Sequence, residues 1–170
     1  MKNVESKKEG QEINPAPLSC ACVMPSCSLR TRASNCVRLS ACPSARSMVE
    51  MICTVTNMYD HGWNERNGGN VSLLLEEPQV KEYVDSAVLR EIPTGFSCPA
   101  LECKYFLVTG TGKYFKNVQV APEVNLGLVR LTNGGETAQL LWGYADGGKF
   151  TSEFPAHMMS HAERLKVDLT

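Results

Sequence analysis

Three short segments of the sequence combine glycine with asparagine, serine or threonine, which can donate hydrogen bonds to an anion. They are "NERNGGNVS" at residues 64–72, "VTGTGKYF" at 108–115 and "TSE" at 151–153. Glycine lets the backbone approach a ligand closely, and successive N–H groups in a tight turn can bind an anion. The segments therefore predict either a phosphate site or ordinary turns between elements.

The first segment is richer in glycine and amide residues than a simple helix-to-strand connection requires. Gly68 and Gly69 offer backbone N–H groups, and Asn67 and Asn70 add side-chain amide donors. Arg66 either adds positive charge to an anion site or forms a structural ion pair. The alternative interpretation is a turn in which glycine ends the preceding helix.

The second segment follows a predicted strand and contains two further donors. Thr111 and Gly112 can donate hydrogen bonds to an anion, and Lys113 can add charge. The G-x-x-x-x-G-K-[ST] spacing of a nucleotide-binding P-loop is absent, and so is G-x-G-x-x-G. A plain loop remains the alternative.

The third segment opens a predicted helix. The hydroxyls of Thr151 and Ser152, with the free N–H groups of the first helical turn, form a natural phosphate site. Glu153 is a candidate general base, although burial or a metal-bound substrate would be needed to adjust its pKa. An ordinary helix cap is the alternative. Taken together, the three segments predict convergence on one phosphate.

His157 and His161 stand four residues apart on the same predicted helix, so both lie on one face. A zinc site needs at least one further ligand, and the H-E-x-x-H pattern is absent. Packing or capping is the predicted role of this pair.

Composition describes a globular chain without an obvious polyanionic partner. The 170 residues are 43% hydrophobic, with a formal net charge of −1, which gives no reason to expect nucleic-acid binding. No apolar run approaches the ~18 residues of a membrane-spanning helix, and the polar N-terminus lacks a signal-peptide core. These features predict a cytoplasmic protein that contacts neither nucleic acid nor membrane.

Residues 1–45 differ in composition from the rest of the chain. They are rich in Ser, Cys, Arg and Pro, and six of the eight cysteines fall between Cys20 and Cys53. Their spacing lacks the paired C-x2-C pattern of a strong zinc site, and no export signal favours disulfides. We predict a disordered or adventitious leader over residues 1–45 and a domain over residues 46–170.

Hydrophobic periodicity places the elements that must position the three segments. Helices are expected at 47–62 and 151–167, and a short helix with a connection at 78–92. Strands are expected at 70–77 and 104–110, a loop at 111–118, and a hairpin at 126–144 with its turn at 133–135. This order predicts an α+β or a three-layer α/β/α architecture, with a mixed or antiparallel sheet.

Three longer stretches of this sequence resemble one known family. "HGWNERNGGNVS", "YFLVTGTGKYFKNVQVAPEVNLGLVRL" and "LLWGYADGGKFTSEFPAHMMSHAERLKV" are similar to the N-terminal half of the rhamnulose-1-phosphate aldolase family, of the class II aldolase/adducin superfamily. The likeness runs over residues 48–167. The G-W-x-E-R-N-G-G-N run and the T-S-E-x-P-x-H motif carry it, whereas residues 1–45 match nothing in the family.

The resemblance implies a three-layer α/β/α class II aldolase-like fold in truncated form, with tetrameric assembly in the family. It implies a zinc-dependent cleavage of rhamnulose 1-phosphate to dihydroxyacetone phosphate and lactaldehyde. The family's acid/base role falls on Glu153, and its phosphate-binding roles fall on Asn67, Gly69, Asn70, Thr111, Gly112, Thr151 and Ser152.

The resemblance also implies a departure from the family. The zinc-ligand histidines of the family lie beyond the position that Thr170 occupies, and His157 and His161 are not at ligand positions. We therefore expect no metal ligand and no bound Zn²⁺ in this chain, and no cleavage by the chain alone. The alternatives are a non-catalytic, adducin-like binding or scaffold module and another sugar-phosphate aldolase or epimerase of the superfamily.

Overall fold

A computed structural model describes residues 43–81, 84 and 87–168, and the side chains of residues 46–167 within those ranges. The predicted leader therefore lies outside the described residues up to position 42. Helix α1 begins at Pro43, so the first helix starts four residues before its predicted position.

The described elements are short apart from the first and last helices. The helices are α1 (Pro43–Asp60), α2 (Glu77–Lys81), α3 (Phe115–Val118), α4 (Pro122–Asn125) and α5 (Phe154–Asp168), with a 3-10 turn at Pro99–Leu101. The strands are β1 (Ser72–Leu75), β2 (Arg90–Pro93), β3 (Tyr105–Thr109), β4 (Leu126–Thr132) and β5 (Thr137–Gly143). No helix within the described ranges is long and apolar enough to cross a membrane.

The five strands form one sheet in the order β1-β3-β4-β5-β2. Every pair is antiparallel, so the predicted mixed or antiparallel sheet takes the antiparallel form within the described residues. Strand β3 lies inside the sheet, and its five residues are all buried. A strand buried on both faces indicates that both faces of the sheet are covered.

Alternate residues of β3 enter two separate cores, because successive side chains of a strand point to opposite faces. Phe106 and Val108 pack with residues of α5. Tyr105 and Leu107 pack with Met51 of α1 on the other face. The architecture is therefore α/β/α in three layers, as predicted.

The apolar stripe of α1 follows the predicted helical spacing. Met51 and Val55 are fully buried, whereas Tyr59 lies at the exposed margin. The helix ends at Asp60, and Gly62 follows with φ +70° and an N–H that donates to the carbonyl of Tyr59 at 2.9 Å. A glycine in the left-handed region just after a helix is a common C-terminal cap, and Gly62 has this role.

The predicted hairpin is present as β4 and β5. Its turn follows Thr132, and Asn133, Gly134 and Gly135 all have positive φ. Asn-Gly sequences suit these left-handed conformations, which is why this turn is readable from sequence.

Two predictions of secondary structure are wrong. The short helix expected within 78–92 is present as α2, but the connection expected after it ends in strand β2, which pairs with β5. Only Ile92 of β2 is buried, so this edge strand carries almost no alternating pattern. In the expected loop at 111–118, Phe115 and Val118 are buried and form one turn of helix, α3.

Candidate functional site

The structure brings the three predicted donor segments to one end of the sheet. The link between them is Thr109, the last residue of β3. Its hydroxyl accepts a hydrogen bond from the N–H of Val71 at 3.0 Å, and its carbonyl accepts one from the N–H of Thr151 at 3.0 Å. Segments that are distant along the chain therefore become neighbours around a single buried threonine.

The second and third segments are also paired directly. Gly110 and Phe150 form an isolated antiparallel bridge. Beyond this bridge the N–H of Thr111 donates to the carbonyl of Lys149 at 2.9 Å. These bonds hold the 110–112 loop against the residues that lead into α5.

The first segment requires glycine at position 69 for two reasons. Gly69 has φ +117°, in the region that favours glycine. A Cβ atom at this position would lie 2.1 Å from Nδ2 of Asn64 and 3.2 Å from Cζ of Phe115. The loop thus folds tightly over its own first residue and over α3.

Some of the predicted donors are already hydrogen-bonded within the protein, whereas others remain available to a ligand. The N–H groups of Thr111 and Thr151 are occupied by the carbonyls of Lys149 and Thr109. Four of the seven predicted phosphate-binding residues make no hydrogen bond with any other described residue. They are Asn67, Gly69, Gly112 and Ser152. All four are exposed, so their donors face solvent.

Glu153 lies immediately before α5. Its N–H donates to the hydroxyl oxygen of Thr151 at 3.3 Å, which gives Thr151 the predicted capping role. The side chain of Glu153 is exposed. The described residues therefore leave this carboxyl group open to solvent and to a ligand.

The two predicted positive charges have different surroundings. Lys113 forms an ion pair with Asp146, which also accepts a hydrogen bond from the N–H of Gly148 at 3.0 Å. The Lys113 hydrogen bond, followed by that backbone bond, holds the pKa of Asp146 below its usual range. Arg66 has φ +50° and makes no ion pair with another described residue, so its charge is available to a ligand.

A hydrogen-bonded network that the sequence did not predict lies behind Asn70. Ser72 at the start of β1 contacts two histidines of α5, with Oγ 2.8 Å from Nδ1 of His157 and 2.9 Å from Nε2 of His161. The second ring nitrogen of His157, Nε2, lies 2.5 Å from Oδ1 of Asn70. Only the spacing of the two histidines on one helix face hinted at a shared partner.

Burial affects both histidines of this network. It lowers the pKa of His157, against a smaller opposing effect of the Glu153 carboxylate. It also lowers the pKa of His161, helped by nearby His157 and Arg164. His161 further packs edge-on against Phe106, with ring centroids 5.2 Å apart, which is the packing role predicted for it.

The residues that the structure describes do not fit a zinc site. Within the described ranges no group of three His, Cys, Asp or Glu side chains is placed to hold a metal ion. His157 and His161 direct ring nitrogens at Ser72, and Cys53, Cys98 and Cys103 are free thiols.

The end of β3 is held from behind by Tyr144. This buried side chain donates its phenol hydrogen to the carbonyl of Val108 at 3.0 Å, and burial raises its pKa. A Cβ atom at Gly127 would lie 2.1 Å from the same ring, so glycine makes room for it. Tyr144 thus supports the strand from which Thr109 and the second segment extend.

Comparisons with known proteins identify the family. The family "Class II Aldolase and Adducin N-terminal domain" matches residues 49–169. The rhamnulose-1-phosphate aldolase of Listeria monocytogenes serovar 1/2a is 56% identical over 120 residues, covering 70% of this chain and 44% of the relative. The protein of the same name from Enterococcus faecalis is 50% identical, covering 70% of this chain and 43% of the relative.

More distant comparisons agree as well. A rhamnulose-1-phosphate aldolase of Escherichia coli O139:H28 is 43% identical over 119 residues, covering 69% of this chain and 43% of the relative. A sugar-phosphate aldolase from Thermotoga maritima has a similar structure, with a TM-score of 0.60 and 27% identity, covering 73% of this chain and 49% of that one. The chain spans less than half the length of the curated relatives it matches. The family match, the level of identity and the shared fold together establish that the chain belongs to the class II aldolase and adducin N-terminal domain family.

Proposed function

We propose that this chain binds the phosphate group of a sugar 1-phosphate where the three donor segments meet, and that this site serves an aldolase reaction in the whole protein. One observation carries the proposal. The segments are joined through Thr109, while the donors of Asn67, Gly69, Gly112 and Ser152 remain uncommitted within the described residues. Exposed donors held together on a rigid frame suit an anion.

The proposed substrate of the whole protein is L-rhamnulose 1-phosphate, cleaved to dihydroxyacetone phosphate and L-lactaldehyde in rhamnose catabolism. Support comes from relatives named rhamnulose-1-phosphate aldolase at 43% to 56% identity. We further propose a cytoplasmic lyase that assembles as a homotetramer, as the family resemblance implies.

The phosphate would act as a handle distant from the reacting carbons. Binding energy from a remote group orients the reacting part of a substrate and lowers the barrier. Thr111 and Thr151 would contribute through their hydroxyls, since their N–H groups are already bonded. The proposed contacts are those of Asn67, Gly69, Asn70, Thr111, Gly112, Thr151 and Ser152.

Glu153 would move the proton that the cleavage transfers. It adjoins Ser152, one of the uncommitted donors, and it is exposed and therefore accessible to a bound substrate. A general acid or base must lie within hydrogen-bond reach of the proton that it moves, and a phosphate held beside Ser152 would bring the sugar to Glu153.

Zinc belongs to the proposal for the whole protein and not to the chemistry derived from these residues. When bound, a Zn²⁺ ion would supply Lewis-acid stabilisation of negative charge that develops on the substrate. Because the described residues offer no set of three ligands, we propose that the 170-residue chain alone does not cleave the substrate. Zinc-dependent turnover by the purified chain would overturn this part.

The phosphate site is tested by calorimetric titration of the full chain with dihydroxyacetone phosphate, and with dihydroxyacetone as the matched ligand without phosphate. We expect saturable binding of the phosphate ester alone. Asn67→Ala removes a hydrogen bond to a charged group and is expected to weaken binding by about 1.5–3 kcal/mol, roughly ten- to a hundredfold.

The matched control is Asn57→Ala, because Asn57 is an exposed asparagine of α1 that belongs to none of the three donor segments. We expect it to bind like the parent chain. Equal binding by Asn67→Ala and Asn57→Ala would contradict the phosphate site. If the whole protein binds phosphate but shows no turnover, and Glu153→Gln behaves in the same way, the adducin-like binding module would be favoured.

A further inference from the structure

The hydrogen bonds behind Asn70 have a defined direction of donation, which ends at the amide oxygen. Oδ1 of Asn70 is an acceptor only, so Nε2 of His157 must carry the hydrogen that bridges them. In a neutral imidazole the other nitrogen, Nδ1, then carries a lone pair. The contact with Asn70 therefore selects one tautomer of His157.

Ser72 carries this selection to His161. With Nδ1 of His157 as an acceptor, the single hydroxyl hydrogen of Ser72 must point to it across 2.8 Å. The contact of Ser72 with Nε2 of His161, at 2.9 Å, must then be donated by His161. Each group in the chain has one consistent role, from His161 through Ser72 and His157 to Asn70.

We propose that Ser72, His157 and His161 are positioning residues that turn the Nδ2 donors of Asn70 toward the phosphate. The inference rests on the proposed phosphate site. With Oδ1 occupied by His157, the amide presents donors and not an acceptor to an incoming anion. A reversed amide would present its oxygen to the phosphate, which would repel it.

The same chain ties two of the donor segments together. Asn70 belongs to the first segment, whereas His157 lies one helical turn after Glu153 on α5. The burial of both histidines favours the neutral rings that this direction requires. The network therefore sets both the orientation of an amide and its placement relative to the start of α5.

Histidine nitrogen NMR of the full chain tests the direction. Long-range proton–nitrogen spectra distinguish the Nε2–H tautomer from the Nδ1–H tautomer at neutral pH. We expect His157 to be Nε2–H in the parent and in Ser72→Thr, which retains the hydroxyl. In Ser72→Ala we expect a mixture, because without the Ser72 hydroxyl the Asn70 amide can reverse and donate to Nε2, which allows the other tautomer of His157.

Titration with inorganic phosphate tests the consequence. Ser72→Ala is expected to weaken binding about three- to tenfold, the effect of one lost hydrogen bond. Ser72→Thr and Ser160→Ala, whose hydroxyl lies exposed on α5, are expected to bind like the parent. If Ser72→Ala fails to fold, His157→Phe replaces it, since it keeps a ring but loses the donor to Asn70.

The outcomes separate this inference from the function on which it rests. The positioning role is overturned if His157 is Nδ1–H in the parent chain. It is also overturned if a folded Ser72→Ala variant binds phosphate as tightly as the parent. A parent chain that binds no phosphate overturns the proposed phosphate site, and the tautomer of His157 in the parent and in Ser72→Ala then decides alone whether the directed chain exists.

Discussion

The chain contains the tripeptide Asn-Gly-Gly twice, at residues 67–69 and 133–135, and the two copies have different partners. Both lie in tight connections, and positive φ occurs at Gly69 in the first copy and at Gly134 and Gly135 in the second. One connects the strands of a hairpin, whereas the other leads from α1 toward β1. Their difference separates a structural turn from a candidate binding loop.

In the hairpin copy the N–H groups of both glycines donate to other groups of the same chain. The N–H of Gly134 donates to a carboxylate oxygen of Glu102 at 2.6 Å, and the N–H of Gly135 donates to the carbonyl of Thr132 at 3.1 Å. The carbonyl of Gly134 in turn accepts from the N–H of Cys98 at 2.7 Å. This turn thus already holds an anionic group supplied by a neighbouring side chain.

The copy at 67–69 has almost no partner within the described residues. Gly68 donates to the carbonyl of Glu65 at 2.8 Å, whereas Asn67 and Gly69 make no hydrogen bond there. The same three residues can therefore bind an internal carboxylate or remain open to an external anion. Tertiary neighbours, and not the tripeptide, decide between the two.

The largest effect on stability is expected from alanine at the third position of each copy. In Gly135→Ala the new Cβ would lie 2.9 Å from the carbonyl oxygen of Cys98, and φ is +85°. Strain of this kind costs about 1–3 kcal/mol, and the backbone contact adds to it. Gly69→Ala meets the movable side chain of Asn64, so it should destabilise the fold less while abolishing phosphate binding. Urea unfolding of the two variants and phosphate titration of Gly69→Ala measure the difference.

Alanine at the first position of each copy should affect phosphate binding in one copy and unfolding free energy in the other. Asn67→Ala is expected to weaken phosphate binding roughly ten- to a hundredfold with little change in unfolding free energy. Asn133 has φ +55°, so Asn133→Ala should cost about 1 kcal/mol of stability and leave phosphate binding unchanged. Calorimetry and urea unfolding of both variants check this, and a reversed pattern would contradict the assigned roles.

The carboxylate of Glu102, which the hairpin copy binds, can be replaced by a neutral group without other changes. Glu102→Gln keeps the size of the side chain but removes the charge that accepts from Gly134. We expect a loss of less than about 1.5 kcal/mol in unfolding free energy, because Glu102 is exposed, and no change in phosphate affinity. A weaker phosphate affinity in this variant would mean that the two turns are not independent.

The smallest expected effect is a pH dependence of the unfolding free energy. It arises from the two histidines of the Asn70 network, beside the copy at residues 67–69. Burial lowers the folded-state pKa of His157 and His161 below the ordinary value of 6.5. The unfolded chain therefore binds more protons as pH falls below 6.5, so stability is fully present above that value and declines below it. Thermal unfolding across this range should show a shallower decline in the double variant His157→Gln, His161→Gln.

Much of the fold could be predicted from the sequence, because local sequence patterns determine several of its helices and strands. The stripe of α1 and the Asn-Gly-Gly turn of the β4–β5 hairpin were both predicted from spacing and turn chemistry. Strand β2 was missed because Ile92 is its only buried residue. Its place in the sheet depends on pairing with β5, which no local pattern records.

The candidate site was predictable only as separate segments. Glycine and amide content marked residues 67–70 and 111–112, and helix-start chemistry marked residues 151–153. The spacing could not reveal that Thr109 joins them, or that Ser72 lies between two histidines of α5. Those contacts arise when β1 and α5 pack together.

One spectrum compares the two copies most directly. Amide proton–nitrogen NMR of the full chain during titration with inorganic phosphate reports both turns at once. The account predicts saturable shifts at the amides of Gly69, Gly112 and Ser152, and none at Gly134 and Gly135. The absence of shifts at Gly69, or equal shifts at Gly134, would contradict the assignment of the open turn as the phosphate site.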